Sequence, residues 1–189
     1  GLEGKASYSF SQDNFSGKVW VSGASYDVTY GDASAASYTA SVGDVGFNLN
    51  SSGFGLTGYY YNGSGTGTTF LMYDGYSAAG KQRDSDGGYV QATYVLPTKT
   101  KLGLSWGQSN LDRASNEQAP NTLIKSNEMW VGMVMHPLTK HLNLVAEYSN
   151  SESENHANAR NKTNPKITPT IVYTRVLLLL LVLPLDDVV

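Results

Sequence analysis

Apolar and polar residues alternate strictly along Lys101-Leu-Gly-Leu-Ser-Trp-Gly-Gln108, so that Leu102, Leu104 and Trp106 share one side. The same alternation returns in Val90-Gln-Ala-Thr-Tyr-Val-Leu96 and in Leu142-Asn-Leu-Val-Ala-Glu-Tyr148. Successive side chains of a strand point to opposite faces, so each segment has one greasy face and one wet or small-residue face. The pattern predicts strands over Gly4–Phe10, Phe15–Gly23, Ser37–Leu49, Phe54–Tyr61, Gly88–Leu96, Lys101–Gln108, Asn127–His136 and Leu142–Ser149. Within Val42-Gly-Asp-Val-Gly46 the alternation slips by one residue, which predicts a bulge or a local bend.

The connections between these strands alternate in length. Ser11–Asn14, Asn50–Gly53, Pro97–Thr100 and Pro137–His141 are short, whereas Ala24–Ala36, Asn62–Gly87, Ser109–Ser126 and the chain after Asn150 are long. Short turns on one side and long loops on the other are the grammar of an outer-membrane barrel. The expected fold is therefore all-β: an antiparallel up-and-down transmembrane β-barrel, with about eight wall strands present as part of a larger barrel. A soluble sandwich with Greek-key links gives no reason for such regular alternation. Thr68–Tyr73 also looks like a strand. Counting it in the wall would put the Pro97–Thr100 turn among the long loops, so it is placed inside a long excursion. Tyr59, Tyr60, Tyr61, Tyr89, Trp106 and Tyr148 gather near strand ends, as aromatic girdles do.

Composition agrees with this picture. The 189 residues include 20 Gly and 13 Tyr, and only 15% are charged. Tyr favours strands and Gly favours turns. A formal charge of −3 does not point to nucleic acid, and without Cys there is neither a disulfide nor thiolate chemistry. No apolar run approaches the ~20 residues of a spanning helix, which leaves a barrel open because its strands hide half their residues from lipid. The opening at Gly1, with neither an initiator Met nor a signal peptide, reads as a mature form or a fragment.

Phe54-Gly-Leu-Thr-Gly-Tyr-Tyr-Tyr-Asn-Gly63, Arg83-Asp-Ser-Asp-Gly-Gly-Tyr-Val-Gln-Ala-Thr-Tyr94 and Thr100-Lys-Leu-Gly-Leu-Ser-Trp-Gly107 resemble, in order, segments of the C-terminal half of Gram-negative general porins. His136-Pro-Leu-Thr-Lys-His-Leu-Asn-Leu-Val-Ala-Glu-Tyr148 is similar to the segment before their last loop. The resemblance covers roughly residues 1–155. It implies a sixteen-stranded homotrimer in the Gram-negative outer membrane, in contact with lipid and lipopolysaccharide, that passes ions and small hydrophilic solutes passively. The family's inward constriction loop belongs to its other half. Its terminal aromatic strand is not matched by Val176-Leu-Leu-Leu-Leu-Leu-Val-Leu-Pro-Leu-Asp-Asp-Val-Val189. Residues 1–160 are thus expected to form porin-type wall and 161–189 an atypical tail, with the reading frame, or the gene model, departing from the family near Asn161–Pro165.

Pore-lining candidates follow from parity. With Leu102, Leu104 and Trp106 toward lipid, Lys101 and Ser105 face inward, together with Gly103. Likewise Tyr89, Gln91 and Thr93 face inward opposite Val90, Ala92 and Tyr94. Asn143 and Glu147 do so opposite Leu142, Leu144 and Tyr148, and Lys5, Ser7 and Ser9 opposite Ala6, Tyr8 and Phe10. Lys18 is assigned inward because a charge on the lipid face near mid-bilayer costs ~2–4 kcal/mol, although Val19 and Val21 compete there with Trp20. The plainer reading, ordinary wetted wall without a selectivity role, is favoured for these groups, since the constriction would lie in the other half.

Other motifs fall to simpler explanations. Asp84-Ser-Asp-Gly-Gly88 has Gly88 and Val95 where a calcium loop needs a third ligand and a Glu, so it reads as a polar loop turn. Gly63-Ser-Gly-Thr-Gly67 lacks the Walker lysine and the dinucleotide fingerprint and reads as a flexible loop. His136, His141 and His156 have no metal-ligand spacing, and no nucleophile elbow appears. No catalytic residue, metal or cofactor is expected, and the protein is not expected to be an enzyme. Two alternatives stand behind the pore. One is a small eight-stranded structural barrel, which the Gly, Ser and Thr of the inward positions argue against, because such a barrel is plugged by side chains. The other is a soluble β module binding carbohydrate through its Tyr residues.

Overall fold

The computed structural model describes residues 1–28, 37–68, 74–118, 121–163 and 166–173. They form one antiparallel sheet of β1 (Leu2–Gln12), β2 (Phe15–Val28), β3 (Tyr38–Ser51), β4 (Phe54–Ser64), β5 (Asp84–Val95), β6 (Lys101–Leu111), β7 (Ile124–Pro137), β8 (Leu142–Asn155), the short β9 (Arg160–Lys162) and β10 (Lys166–Tyr173). Neighbours in sequence are neighbours in space from β1 to β8; β10 then pairs with β8, and β9 pairs with the outer end of β8. The sheet is a continuous up-and-down wall whose two edge strands are not joined to each other.

Each predicted strand is present, and most run several residues further toward the long loops. β2 reaches Val28 and β8 reaches Asn155. The extensions are polar, so the apolar period ends where lipid would end while the backbone ladder continues. Asp84 and Asp86 therefore belong to β5, opposite Ser64 and Asn62, rather than to a loop turn. β10 lies within the residues that the pattern sets apart as a tail, and its backbone extends the wall through Tyr173. The leucine run Val176–Leu183 and most of Thr68–Tyr73 lie outside the described residues.

The expected bulge in β3 is absent. Registers with β2 and β4 run unbroken through Val42–Gly46, and the irregularity found falls instead between Ile124 and Ser126, where β7 meets β8. Val42 faces the polar side, opposite to Val45, and is 7% exposed because a loop covers it. The break in the pattern marks a buried patch, not a slipped register. The short turns are tight: Asp13, Ser52, Gly53 and Lys99 take positive φ, with Gly53 at 87°. Gly suits that conformation because it has no Cβ to clash.

Paired residues in an antiparallel ladder share a face, so the registers sort every wall side chain. One face carries Tyr8, Val19, Val21, Val45, Leu56, Val90, Leu102, Leu104, Val134 and Leu144, each at least 39% exposed and packed on no second sheet. Aromatics bound this band. Toward the short turns, Phe10 meets Phe15 with centroids 5.4 Å apart and Phe54 meets Tyr94 at 4.3 Å. Toward the long loops stand Tyr60, Trp106, Trp130 and Tyr148. The indoles of Trp106 and Trp130, 6.0 Å apart, both donate to Glu128 Oε1, at 2.8 and 3.0 Å. A band ending in amphipathic rings whose N–H groups meet a carboxylate matches a membrane interface.

Candidate functional site

The other face is polar, and it carries all the residues expected to line a pore. Lys18, Gln91 and Ser105 fall in one cross-strand row with Asn48 and Thr57. Ser7 and Tyr89 share the next row outward, and Thr93 and Glu147 a row nearer the short turns. Lys101 and Asn143 lie closer still to the short turns. Lys5 is in the outermost of these rows, beside Ser22 and Asp44. The ambiguity at β2 is resolved: Val19 and Val21 take the apolar face, and Lys18 and Trp20 the polar one.

The girdle expected of the tyrosine cluster needs correction. Adjacent strand residues cannot share a face. Tyr60 stands in the apolar band, whereas Tyr59, Tyr61 and Tyr89 stand on the polar face. There Tyr59 lies 6.2 Å from Tyr61 and 5.8 Å from Tyr89, centroid to centroid.

At the long-loop end, the described parts of the connection from β4 to β5, residues 65–68 and 74–83, fold inward over the polar face. Thr66, 2% exposed, lies 3.0 Å from Ser85, and Tyr76 packs at a tilt against Tyr38, with ring centroids 4.9 Å apart. Gly65 donates its N–H to Arg83 O, and Arg83 donates its own to Gly75 O, both at 2.9 Å. Beneath this loop lie Ala40, Val42, Tyr61 and Leu111, apolar residues at polar-face parity and all under 9% exposed. Gly63–Gly67 is thus a packed segment, not a flexible loop. Their parity was the available signal: an apolar residue on a wet face calls for a cover.

A buried ion pair ties that loop to the next. The Arg83 guanidinium donates to both Glu117 oxygens, Nε at 2.9 Å and Nη2 at 2.5 Å, and Nη1 donates to Asp74 O at 2.7 Å. Glu117 also accepts the Ala114 N–H at 2.9 Å. These donors, Arg83 first, hold its carboxyl down to about 2 from an ordinary 4.5. The loop after β8 joins in, since His156 Nε2 lies 2.8 Å from Leu111 O and its N–H donates to Leu123 O at 3.0 Å. Three long connections are laced into one cap.

Gly75 is the tight point of the inward loop: a Cβ there would lie 2.8 Å from Gly65 C and 3.1 Å from Gly67 N. Backbone cannot swing aside as a side chain can, so Gly75→Ala should unseat the loop at about 1–3 kcal/mol. Faster amide exchange at Gly65, Ser77 and Arg83, with the wall strands unchanged, is the expected result. Unaltered exchange at those amides would contradict this packing.

No family model matches the chain, and no curated protein matches it in sequence. Among solved structures it is similar to the outer membrane channel DcaP of Acinetobacter baumannii, with a TM-score of 0.74 and 16% identity over 90% of this chain and 50% of that one. The chain thus spans about half the length of that channel. The fold is that of an antiparallel β-barrel wall of the outer-membrane channel type.

Proposed function

We propose that this chain is part of the wall of an outer-membrane pore through which ions and small hydrophilic solutes diffuse passively. One observation carries the reading: the registers sort the wall residues onto an exposed apolar band and an opposite face that is polar over most of β1 to β6 and carries Met129, Val131, Met133 and Met135 on β7. Lipid takes the first face and water the second. The structural likeness to a channel supports the same conclusion at the level of fold.

On this reading Lys5, Ser7, Lys18, Tyr89, Gln91, Thr93, Lys101, Ser105, Asn143 and Glu147 line the lumen. No step of bond making is involved; selection is by size and by the charge along the wall. Glycine at Gly46, Gly55, Gly103 and Gly107 keeps the polar face low, which favours an open lumen over the packed interior of a small structural barrel. The general-porin resemblance adds a homotrimer set in lipid and lipopolysaccharide.

Planar-bilayer recording on the complete natural protein tests the proposal. Ohmic conductance steps are expected in KCl. Reversing the charge at both Lys18 and Lys101 by substitution to Glu should move the reversal potential in a salt gradient toward cation preference, because both ammonium groups face the ion path. A well-folded protein that never conducts would sink the reading.

A further inference from the structure

One cross-strand row of the polar face differs in kind from its neighbours. It reads Trp20, Gly46, Tyr59, Tyr89, Gly107, Met129 across β2 to β7. The row below it holds Lys18, Asn48, Thr57, Gln91 and Ser105, as a wetted wall should, and turns apolar only at Val131 on β7, so the difference between the rows lies in Trp20, Tyr59 and Tyr89. The glycines let the rings lie down. A Cβ on Gly46 would run into the Trp20 indole, whose Cη2 would be 2.9 Å away, and one on Gly107 would come within 3.1 Å of Tyr89 Cβ. Trp20 therefore lies along the wall toward Tyr59, whose ring stands 5.8 Å from that of Tyr89. Tyr89 is 44% exposed and Met129 49%.

Hydration of a lumen requires no such strip, and apolar surface left open to water tends to mark a place where something binds. Polar groups adjoin it. Ser22 Oγ donates to Asp44 Oδ2, while Asp44 Oδ1 is buried with no hydrogen-bond partner. The Lys5 ammonium sits 5.3 Å over the Trp20 ring and, with Glu3, Ser22, Tyr26 and Asp44, lines a hollow of about 420 Å³ beside the row. A buried acceptor without a donor is costly unless a ligand supplies one.

We infer that this row is a saccharide subsite. A pyranose has a flat C–H face that packs on an aromatic ring and a rim of hydroxyl groups that donate and accept. Tyr59, Tyr89 and Trp20 give the platform, Asp44 Oδ1 takes a hydroxyl proton in hydrogen bonding, and Lys5 donates to a hydroxyl oxygen. The Lys5 ammonium is offset in the same hollow by the carboxylates of Glu3 and Asp44, which suits a neutral ligand better than an anion. The inference rests on the polar face being the lumen of a pore, as proposed above.

The test adds maltohexaose to the complete natural protein conducting KCl in a planar bilayer. Saturable interruption of the current is expected. Its apparent affinity should fall about tenfold in Tyr59→Ala and Tyr89→Ala, as befits the loss of one ring contact. It should hold in Tyr59→Phe, which keeps the ring, and in Tyr60→Ala, on the lipid face. The KCl conductance of each variant reports that it has folded. A conducting pore that ignores maltohexaose, or is blocked equally in every variant, overturns the subsite and leaves the pore. Block by tetraethylammonium in place of the glucan also overturns it, in favour of a cation site. A protein that does not conduct fails the pore reading itself, and the subsite goes with it.

Discussion

Glu117→Ala is expected to open the loop cap. Arg83 is 8% exposed, and without Glu117 its guanidinium keeps, among the described residues, only Asp74 as a partner. Stranding one member of a buried pair costs about 3–5 kcal/mol, and the lower end applies because the Glu117 side chain is 18% exposed. The loss should be local, since the pair joins two loops and no wall strands. Amide exchange and limited proteolysis would show residues 74–83 and 112–118 unprotected, with the barrel still intact. Arg83→Met combined with Glu117→Leu should restore most of the protection, because apolar groups of similar volume leave no charge stranded. Acid should act as the substitution does. Glu117 has a folded pKa of about 2 against an ordinary 4.5, so its contribution is complete above about 4.5 and is lost as pH falls toward 2. A cap equally protected at pH 6 and pH 2.5 would contradict the assignment.

Leu104→Arg should impair insertion more than any comparable change on the polar face. Leu104 is 56% exposed in the middle of the apolar band, flanked by Ala92 and Gly132 on the neighbouring strands. Arginine near the bilayer midplane costs about 2–4 kcal/mol. Ser105→Arg places the same side chain one residue on, toward the polar face, and should be tolerated there. Folding into lipid vesicles, followed by urea titration and heat-modifiable gel mobility, would compare the two. Equal stability of the pair would contradict the assignment of a lipid-facing side, and a less stable Ser105→Arg would show the faces reversed.

Much of this was legible in the residues. Period-two alternation located the wall strands, and where an apolar face was unmistakable, as at Leu102–Trp106, the register puts each neighbour on the opposite face, as parity expects. Parity was harder to read in β2, where Val19, Trp20 and Val21 are all apolar and only cross-strand register separates them. The inward loop was illegible for a different reason. Its cover over Tyr38, Ala40 and Val42 comes from residues distant in sequence, and local pattern carries no distances. The apolar residues it hides instead imitated a bulge. The Arg83–Glu117 pair, 34 residues apart, likewise has no local signature.

Trp106 and Trp130 converge on one carboxylate. Two neighbouring strands are thereby moored to a single waterline. On the pore reading, sinking the wall would carry the Glu128 carboxylate and both indole N–H groups out of water together, and raising it would bare the rings. A bilayer of different thickness therefore has to meet this wall by tilting it or by deforming around it. Depth in the membrane is written into one side-chain triangle, and the rest of the band follows it.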